Sequence, residues 1–258
     1  MITTETSMRV WVALSLMMLL TSSPEARADW QEIQRRGVLR VVTDIDPSTA
    51  FENEVMESFV ELHGLKLQML QNRPFAERIP LVISGEADLA MSLFDTPERR
   101  ELVDFSVEVL PSVYTMATCG SQPPIADVEE LRTRRVGMMA GSIMEQTARR
   151  LGVPDANIAG YPDVRAVIEA LCGGQLTAAL IAMPDIASFR HLFPGLRYGA
   201  PMGEVTSAAW AIRKGSPELR AKVDEYLTNI RRSGAWSRLL VKHFGAEALS
   251  VLGRAGVK

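Results

Sequence analysis

The sequence predicts an α/β fold built from two successive sets of alternating strands and helices. Short β-rich runs alternate with helical patterns over residues 39–93, and the same alternation restarts at residue 136. Between the two sets lies a longer β-type run at 110–118, followed by the turn-forming segment 120–124. The 258 residues, 47% of them hydrophobic, suffice for one large domain or two smaller ones.

The first 28 residues have the pattern of an export signal. Arg9 precedes an apolar run over residues 10–20, and Ala26 and Ala28 form an A-x-A cleavage site. The run is shorter than the roughly 17 to 25 helical residues that cross a membrane. We therefore expect a signal peptide over 1–28, cleavage before Asp29 and a protein located in the periplasm.

Charge and cysteine content restrict the partners and the compartment. The formal net charge is −3, and it is the same without residues 1–28, because that segment holds two acidic and two basic side chains. No basic surplus exists to bind phosphates, so nucleic acid is not an expected partner. The two cysteines, Cys119 and Cys172, can pair in an oxidising compartment, but the sequence leaves open whether they do.

The first set of elements begins directly after a short N-terminal segment. It comprises a strand at 39–43, a helix at 52–63, a strand at 66–70, a helix at 74–84 that ends at Gly85, and a strand at 88–93. Each strand-helix-strand unit favours parallel pairing with a right-handed crossover.

The second set follows the same order. It comprises a strand at 136–139, a helix at 142–151, a strand at 158–161, a helix at 163–172 and a strand at 178–182. A β-type run at 208–213 brings the chain back. Ser216, Pro217 and Glu218 then have the pattern of a helix start, and a C-terminal helical region follows.

Few residues form a pattern typical of a catalytic or metal site. The sequence contains no G-x-S-x-G elbow, no H-E-x-x-H, no phosphate-binding P-loop and no G-x-G-x-x-G. His63, His191 and His243 are far apart and have no acidic or cysteine neighbour at metal-ligand spacing. We therefore expect no enzyme activity, no cofactor and no metal site.

Two places are suited to hold an anion. Ser142 and Ile143 follow a predicted strand at the start of a helix, where the first N–H groups lack partners. Ser142 could instead only cap that helix, with Glu145 completing a capping box. Arg99 follows the strand at 88–93, and its guanidinium could hold a carboxylate bidentately or lie in a solvated turn.

Two stretches carry a resemblance to a known family. Residues 75–89, FAERIPLVISGEADL, resemble its pattern W-x-x-L-I-P-A-L-x-S-G-x-A-D, and residues 96–106, TPERRELVDFS, resemble T-P-E-R-x-x-x-x-x-F-S. Weaker matches lie at 37–41, 136–142, 211–219, 234–236 and 242–245. The chain thus resembles the periplasmic solute-binding proteins of the polar amino-acid type, family 3 of the bacterial extracellular solute-binding proteins, which share their fold with the ligand cores of ionotropic glutamate receptors.

The resemblance implies a two-lobed periplasmic-binding-protein fold of class II, in which two βα sheets are joined by two hinge strands. Residues 29–113 and 207–258 would form lobe 1, and residues 114–206 would form lobe 2. The hinge strands are expected near 113–118 and 207–213, with the ligand in the cleft between the lobes.

The resemblance also implies the ligand-binding residues. Arg99 stands where amino-acid-binding relatives hold the ligand's α-carboxylate, assisted by N–H groups at Ser142 and Ile143. Asp44 keeps the place of an acidic contact, and Phe75 matches an aromatic position near the cleft. Ser92 and Phe94, in the strand before Arg99, complete the expected set.

Departures from the family pattern affect ligand specificity. Phe94 replaces a Ser or Thr, and Ala182 replaces an Asp that pairs with the ligand's ammonium, with Asp185 three residues later. The loop at 43–51 is also short. A buried ammonium without a counter-charge is costly, so a standard α-amino acid is less favoured than the resemblance suggests. We expect a small polar, carboxylate-bearing solute, an amino acid or a related compound.

The resemblance implies the substrate-binding component of an ABC transporter, a monomer with a membrane permease as its partner. Two alternatives remain open at this point. One is an accessory or sensor protein that does not serve uptake. The other is an enzyme on the same fold, similar to cyclohexadienyl dehydratase, with Asp44, Asp46 or Asp185 as its acid.

Overall fold

A computed structural model describes residues Trp30–Gly245, without an account of the side chains at positions 200 and 203–205. The predicted signal peptide and its cleavage site lie outside the described residues. No helix within Trp30–Gly245 combines the length and the apolar composition that crossing a membrane requires.

The N-terminal part of the chain forms the predicted first βα set. Its elements are α1 (Trp30–Arg36), β1 (Val38–Val42), α2 (Ala50–Leu62), β2 (Lys66–Leu70), a 3₁₀ turn (Phe75–Glu77), α3 (Arg78–Ser84), β3 (Leu89–Phe94), α4 (Pro97–Arg100) and β4 (Val103–Phe105). Helix α3 ends at Ser84 and is capped by Gly85, whose φ of 78° is the left-handed conformation that glycine adopts without strain.

The second βα set follows a long strand. The elements are β5 (Leu110–Cys119), a 3₁₀ turn (Val128–Thr133), β6 (Val136–Met139), α5 (Ile143–Arg150), a 3₁₀ turn (Asp155–Asn157), β7 (Ile158–Tyr161), α6 (Val164–Cys172), β8 (Ala178–Ala182) and α7 (Met183–Phe189). The chain returns through the 18-residue strand β9 (Leu196–Arg213) and ends in α8 (Pro217–Arg232) and α9 (Gly234–Phe244).

The strands are hydrogen-bonded in the order β2-β1-β3-β9-β5-β8-β6-β7, and β4 pairs with β9. Strands β1, β2 and β3 pair in parallel, as do β6, β7 and β8. Strands β5 and β9 pair antiparallel and pass from one βα set to the other. The predicted α/β two-lobed fold with two crossing strands is therefore confirmed.

The apolar core is divided in the same way as the βα sets. One set of buried clusters combines residues of β1, α2 and β3 with Trp210, Leu227 and Trp236 from the C-terminal part. The other set consists of residues between 114 and 202. We call these lobe 1 and lobe 2. The boundaries after residues 113 and 206 stay a prediction, which this distribution supports.

The two cysteines form a disulfide in lobe 2. Cys119 ends β5, Cys172 ends α6, and their Cα atoms are 5.0 Å apart across a sequence separation of 53 residues. The bond ties the crossover helix of lobe 2 to a strand that crosses between the lobes. Such bonds persist in oxidising compartments, so the pairing that the sequence left open favours an exported protein.

Candidate functional site

A cavity of about 70 Å³ lies between the lobes. Since one water needs roughly 10 to 15 Å³ by this measure, it has room for about five waters, the scale of one small solute. Lobe 1 and the crossing strands contribute Asp44, Asp46, Ser48, Thr49, Glu52, Phe75, Arg78, Ser92, Phe94, Leu110, Ser112 and Ala208. Lobe 2 contributes Met139, Ser142, Met144, Val164, Val167, Leu180, Ile181, Ala182, Pro184 and Asp185.

The lobes touch beside this cavity. A Cβ atom placed on Gly141, at the start of α5, would come 2.9 Å from the Cβ of Ala76 in lobe 1. Gly141 has a φ of +73°, so both its conformation and its close approach favour glycine. Phe94 of lobe 1 packs with its ring centroid 4.9 Å from that of Tyr114. The cleft is therefore closed in this structure.

Asp44 and Arg78 form an ion pair on the lobe 1 wall. Asp44 follows β1, and its carboxylate accepts a hydrogen bond from Nη2 of Arg78. Burial raises the pKa of Asp44, and the Arg78 guanidinium opposes that rise. The Arg78 side chain is only 3% exposed, against 27% for Asp44. Arg78 is thus the more deeply buried partner, and its charge is held inside the wall of the cavity.

A second buried carboxylate, Glu52, holds an unusual residue of β3 in place. Glu52 accepts hydrogen bonds from the backbone N–H of Ser92 (3.1 Å), the Ser92 hydroxyl (2.8 Å) and Trp210 Nε1 (2.7 Å). Burial raises the pKa of Glu52, and these three donors oppose the rise. Ser92 has a φ of 57°, at a register shift between β3 and β9. Left-handed non-glycine residues often lie at functional sites.

Two further carboxylates enter the cavity, one from each lobe. Asp46 uses Oδ1 to accept hydrogen bonds from the Ser48 backbone N–H (2.7 Å) and hydroxyl (2.5 Å). Asp185 lies in the first turn of α7, where Pro184 precedes it. Burial, with a smaller contribution from Asp46 and Glu52, raises the pKa of Asp185 to about 8. No cation within 4.0 Å pairs with Asp185 in the described part of the chain.

Asp185 changes one expectation from the sequence. Ala182 ends β8 at the cavity, where the family pattern has an acid, and the clamp for an ammonium was expected to be absent. The structure brings Asp185 to the same cavity from the next helical turn. An acidic side chain therefore lines the cavity three residues after the usual position.

Arg99 is placed beside the cavity and does not line it. Its Nη1 donates a 3.0 Å hydrogen bond to the Phe94 carbonyl, and its guanidinium carbon lies 5.6 Å from the Phe75 ring centroid. Burial lowers the pKa of Arg99. In this closed arrangement the Phe75 and Phe94 side chains, and not Arg99, form the cavity wall.

The start of helix α5 differs from the expected capping box. Ser142 is the N-cap, but its hydroxyl donates to the Met139 carbonyl (2.5 Å) and makes no cap hydrogen bond. Glu145 accepts from the Gly141 backbone N–H at 3.3 Å. Ser142 lines the cavity, whereas Ile143 packs against the lobe 2 core. The Ser142 side chain therefore leaves the first N–H groups of α5 uncapped.

The structure thus brings together on one cavity most of the residues expected from the sequence, namely Asp44, Phe75, Ser92, Phe94 and Ser142. Sequence reasoning missed Arg78, Glu52 and Ser112. Arg78 occupies a Leu position of the family pattern, and Glu52 lies on the apolar face of α2. An ionisable residue at an expected apolar position was the available signal in both cases. The ligand roles of the expected residues stay predictions.

Curated relatives match almost the whole chain at low identity. Membrane-bound lytic murein transglycosylase F from Stutzerimonas stutzeri is 25% identical over 96% of this chain and 54% of its own length. The protein of that name from Aeromonas hydrophila is 24% identical over 92% of this chain and 51% of its own length. The chain spans about half the length of the curated relatives it matches.

These names correct one expectation from the sequence. We expected no enzyme activity, because motifs of the common catalytic sites are missing. That expectation is wrong by this comparison, since the relatives are named as an enzyme. Because the chain spans about half of those relatives, their names do not say which residues are catalytic.

Solved structures match the fold. The ancestral amino acid-binding protein AncCDT-1, a precursor of cyclohexadienyl dehydratase, has a TM-score of 0.76 at 25% identity, covering 83% of this chain and 98% of that chain. The GluR0 ligand-binding core from Nostoc punctiforme, in complex with L-glutamate, has a TM-score of 0.71 at 19% identity, covering 80% and 99%. The family model for bacterial extracellular solute-binding proteins, family 3, matches residues 48–246. By this match over most of its length, the chain belongs to the bacterial extracellular solute-binding proteins of family 3.

Proposed function

We propose that the chain closes its two lobes around one small polar solute that carries an amino group. The observation that carries this proposal is the surplus of carboxylates on the closed cavity. Among the described residues, the carboxylates of Asp44, Asp46, Glu52 and Asp185 line it, together with the guanidinium of Arg78. Asp44 is paired with Arg78 and Glu52 is satisfied by neutral donors. Asp46 accepts its hydrogen bonds from Ser48 through Oδ1, so its Oδ2 and the carboxylate of Asp185 are left to receive a cationic group.

The charge of the pair explains why an ammonium would bind. Burial, and then the negative charges of Asp46 and Glu52, raise the pKa of Asp185 and make its ionisation costly. A cation between Asp46 and Asp185 would restore ionisation and would be attracted in a site with little water. Solved structures of the same fold include an ancestral amino acid-binding protein and an ancestral arginine-binding protein bound to arginine, which supports an amino-bearing ligand.

A thermal-shift screen tests this proposal. The probes are L-arginine, L-glutamine, L-glutamate, L-alanine, simple amines, and carboxylates that lack an amino group. A probe at a thousand times its dissociation constant stabilises the protein by about 4 kcal/mol. We expect amino-bearing probes to raise the melting temperature and Asp185→Asn to abolish the shift. A shift produced only by probes without an amino group would contradict the proposal.

The finer proposal is that this chain serves as a monomeric periplasmic component of an ABC transporter and hands its solute to a membrane permease. The family's description as extracellular proteins and the Cys119–Cys172 disulfide support export. The N-terminal sequence of the protein recovered from the periplasm is expected to begin at Asp29. Loss of solute uptake after deletion of the gene would support the transport role, and unchanged uptake would contradict it.

The names of the curated relatives favour a second candidate function, participation in murein cleavage. The chain spans only about half of those relatives, so their names assign no catalytic residue to it. Asp185, the cavity acid whose pKa is raised to about 8, is the residue to test. The test is release of soluble fragments from purified murein by the protein, with Asp185→Asn as the control. Fragment release that depends on Asp185 would support this function. A closed cavity of about 70 Å³ is too small for a glycan strand, so cleavage would require the open cleft.

A further inference from the structure

The buried arginine of the cavity wall stands at a position where the family pattern has leucine. In W-x-x-L-I-P the fourth position corresponds to Arg78, after Phe75 at the first. The Arg78 side chain is 3% exposed, and its guanidinium carbon lies 4.9 Å from the Phe75 ring centroid. Burying a guanidinium in place of an apolar side chain is unfavourable unless its donors are satisfied. The hydrogen-bond donors of the Arg78 guanidinium should therefore show what an arginine does at this position that a leucine cannot.

The donors of Arg78 are only partly used. Nη1 donates to the Met91 carbonyl at 2.9 Å, and Nη2 donates to Asp44. Nε is buried and has no acceptor in the part of the chain that the structure describes. Ser112, on β5, shares this property. It is 4% exposed, its hydroxyl has no partner among the described residues, and it lines the same cavity.

Two buried donors without acceptors on one cavity point to a ligand that brings acceptor atoms. A carboxylate suits them, because its oxygens accept charge-assisted hydrogen bonds from a guanidinium and a further bond from a hydroxyl. Asp46 and Asp185 line the same cavity and offer acceptors to the ligand's amino group. The cavity thus holds both halves of a site for a zwitterion.

Arg99 is poorly placed for the same task. Its Nη1 is bonded to the Phe94 carbonyl, and its side chain lies outside the lining of the closed cavity, beside Phe75. We propose that Arg78, assisted by Ser112, binds the carboxylate of the ligand in this chain in place of Arg99. This inference rests on the proposed function, binding of an amino-bearing solute in the cleft, and names the second group of that solute.

The test compares each amino acid with its α-amide, which keeps the amino group and lacks the carboxylate charge. L-Arginine, L-glutamine, L-glutamate and L-alanine are titrated beside their amides by calorimetry. The variants are Arg78→Leu/Asp44→Asn, which removes the buried ion pair as a unit, and the matched control Arg99→Leu. Circular dichroism and the melting temperature report whether each variant folds.

We expect the wild-type protein to prefer the acid over the amide at least tenfold, as the loss of a charge-assisted bond predicts. The preference should fall to about one in Arg78→Leu/Asp44→Asn and persist in Arg99→Leu. The inference would be overturned if Arg99→Leu lost the preference and Arg78→Leu/Asp44→Asn kept it, or if the wild-type protein bound amide and acid equally. Either result would leave the proposed function intact. A wild-type protein that binds no amino-bearing probe would refute the proposed function, and this inference with it.

A second variant covers the case in which the double variant does not fold. Ser112→Ala removes one buried oxygen that has no partner among the described residues, so the fold should tolerate it. A several-fold loss of the preference for the acid over the amide supports the inference. An unchanged preference in Ser112→Ala overturns the role of Ser112. If Arg78→Leu/Asp44→Asn also fails to fold, that same result overturns the whole inference.

Discussion

Replacing Asp185 by Asn should make the ligand-free protein more stable and remove the part of its loss of stability at higher pH that this carboxyl causes. The pKa of Asp185 is raised from 3.8 to about 8, chiefly by burial and then by Asp46 and Glu52, with Arg78 opposing. The folded state therefore holds a proton on this group that the unfolded state has lost between about pH 4 and pH 8. Asn mimics the protonated side chain at every pH.

The sign and size follow from proton linkage. Because the folded protein binds more protons than the unfolded one in this window, the free energy of unfolding decreases as the pH rises. The slope is roughly 1.4 kcal/mol per pH unit for one group, or about 2.7 kcal/mol between pH 5 and pH 7. Above about pH 8 the contribution of Asp185 levels off, since the group is then ionised in both states.

Urea unfolding at pH 5, 6, 7 and 8 measures this effect. Other buried carboxyls such as Glu52 contribute to both proteins, so the difference between wild type and Asp185→Asn isolates one side chain. Asp155→Asn is the matched control, because the Asp155 side chain is 80% exposed. We expect the Asp185→Asn and wild-type values to separate as the pH rises. Parallel values across the four pH points would refute the assignment of a raised pKa to Asp185.

Four further outcomes are expected. Binding of an amino-bearing probe should release a proton at pH 7, and its affinity should rise about 50-fold from pH 6 to pH 8, because a cavity acid with a pKa of about 8 must ionise. Calorimetry in buffers of different ionisation enthalpy measures the proton release, and a pH-independent affinity would contradict the prediction. Replacing Cys119 and Cys172 by Ser should lower the free energy of unfolding by up to about 4 kcal/mol, the loop-entropy value for a separation of 53 residues. Urea unfolding measures this, and an unchanged free energy of unfolding would argue against the disulfide. Gly141→Ala places a methyl group 2.9 Å from the Cβ atom of Ala76 and should keep the cleft open. X-ray scattering should then show a larger radius of gyration, and probes should bind more weakly; an unchanged radius and affinity would show that this contact does not limit closure. Glu52→Gln sets an amide group against buried N–H donors and should cost about 2 to 3 kcal/mol in chemical unfolding, whereas a neutral effect would show that the donors find other partners.

Much of the fold was predictable because its strands are short apolar runs between turn residues. The bounds of β2, β6, β7 and β8 agree with the sequence prediction. Elements without such a pattern were missed. Strand β4 has only three residues, α1 lies next to the predicted signal peptide, and α7 follows β8 without a turn. The first half of β9 contains Gly and Pro residues, which weaken a strand pattern.

The site was less predictable than the fold, because its chemistry depends on pairs that are distant in sequence. Arg78 and Asp44 are 34 residues apart, and Glu52 and Trp210 are 158 residues apart. Periodicity places Glu52 on the buried face of α2, but only the folded chain supplies the donors that stabilise it. The position of Asp185 required the helix that starts at Met183, which the sequence prediction lacked.

The interrupted pairing between the two crossing strands has a mechanical consequence. In the β5–β9 ladder, Ser112 is opposite Thr206 and Tyr114 is opposite Met202, so one residue of β5 faces the three residues 203–205. Bending at a point where the ladder is already broken sacrifices few additional backbone hydrogen bonds. We therefore expect the lobes to swing apart with little elastic resistance. Most of the free energy of contacts made on closure then remains as binding affinity, since little of it is consumed in deforming the strands.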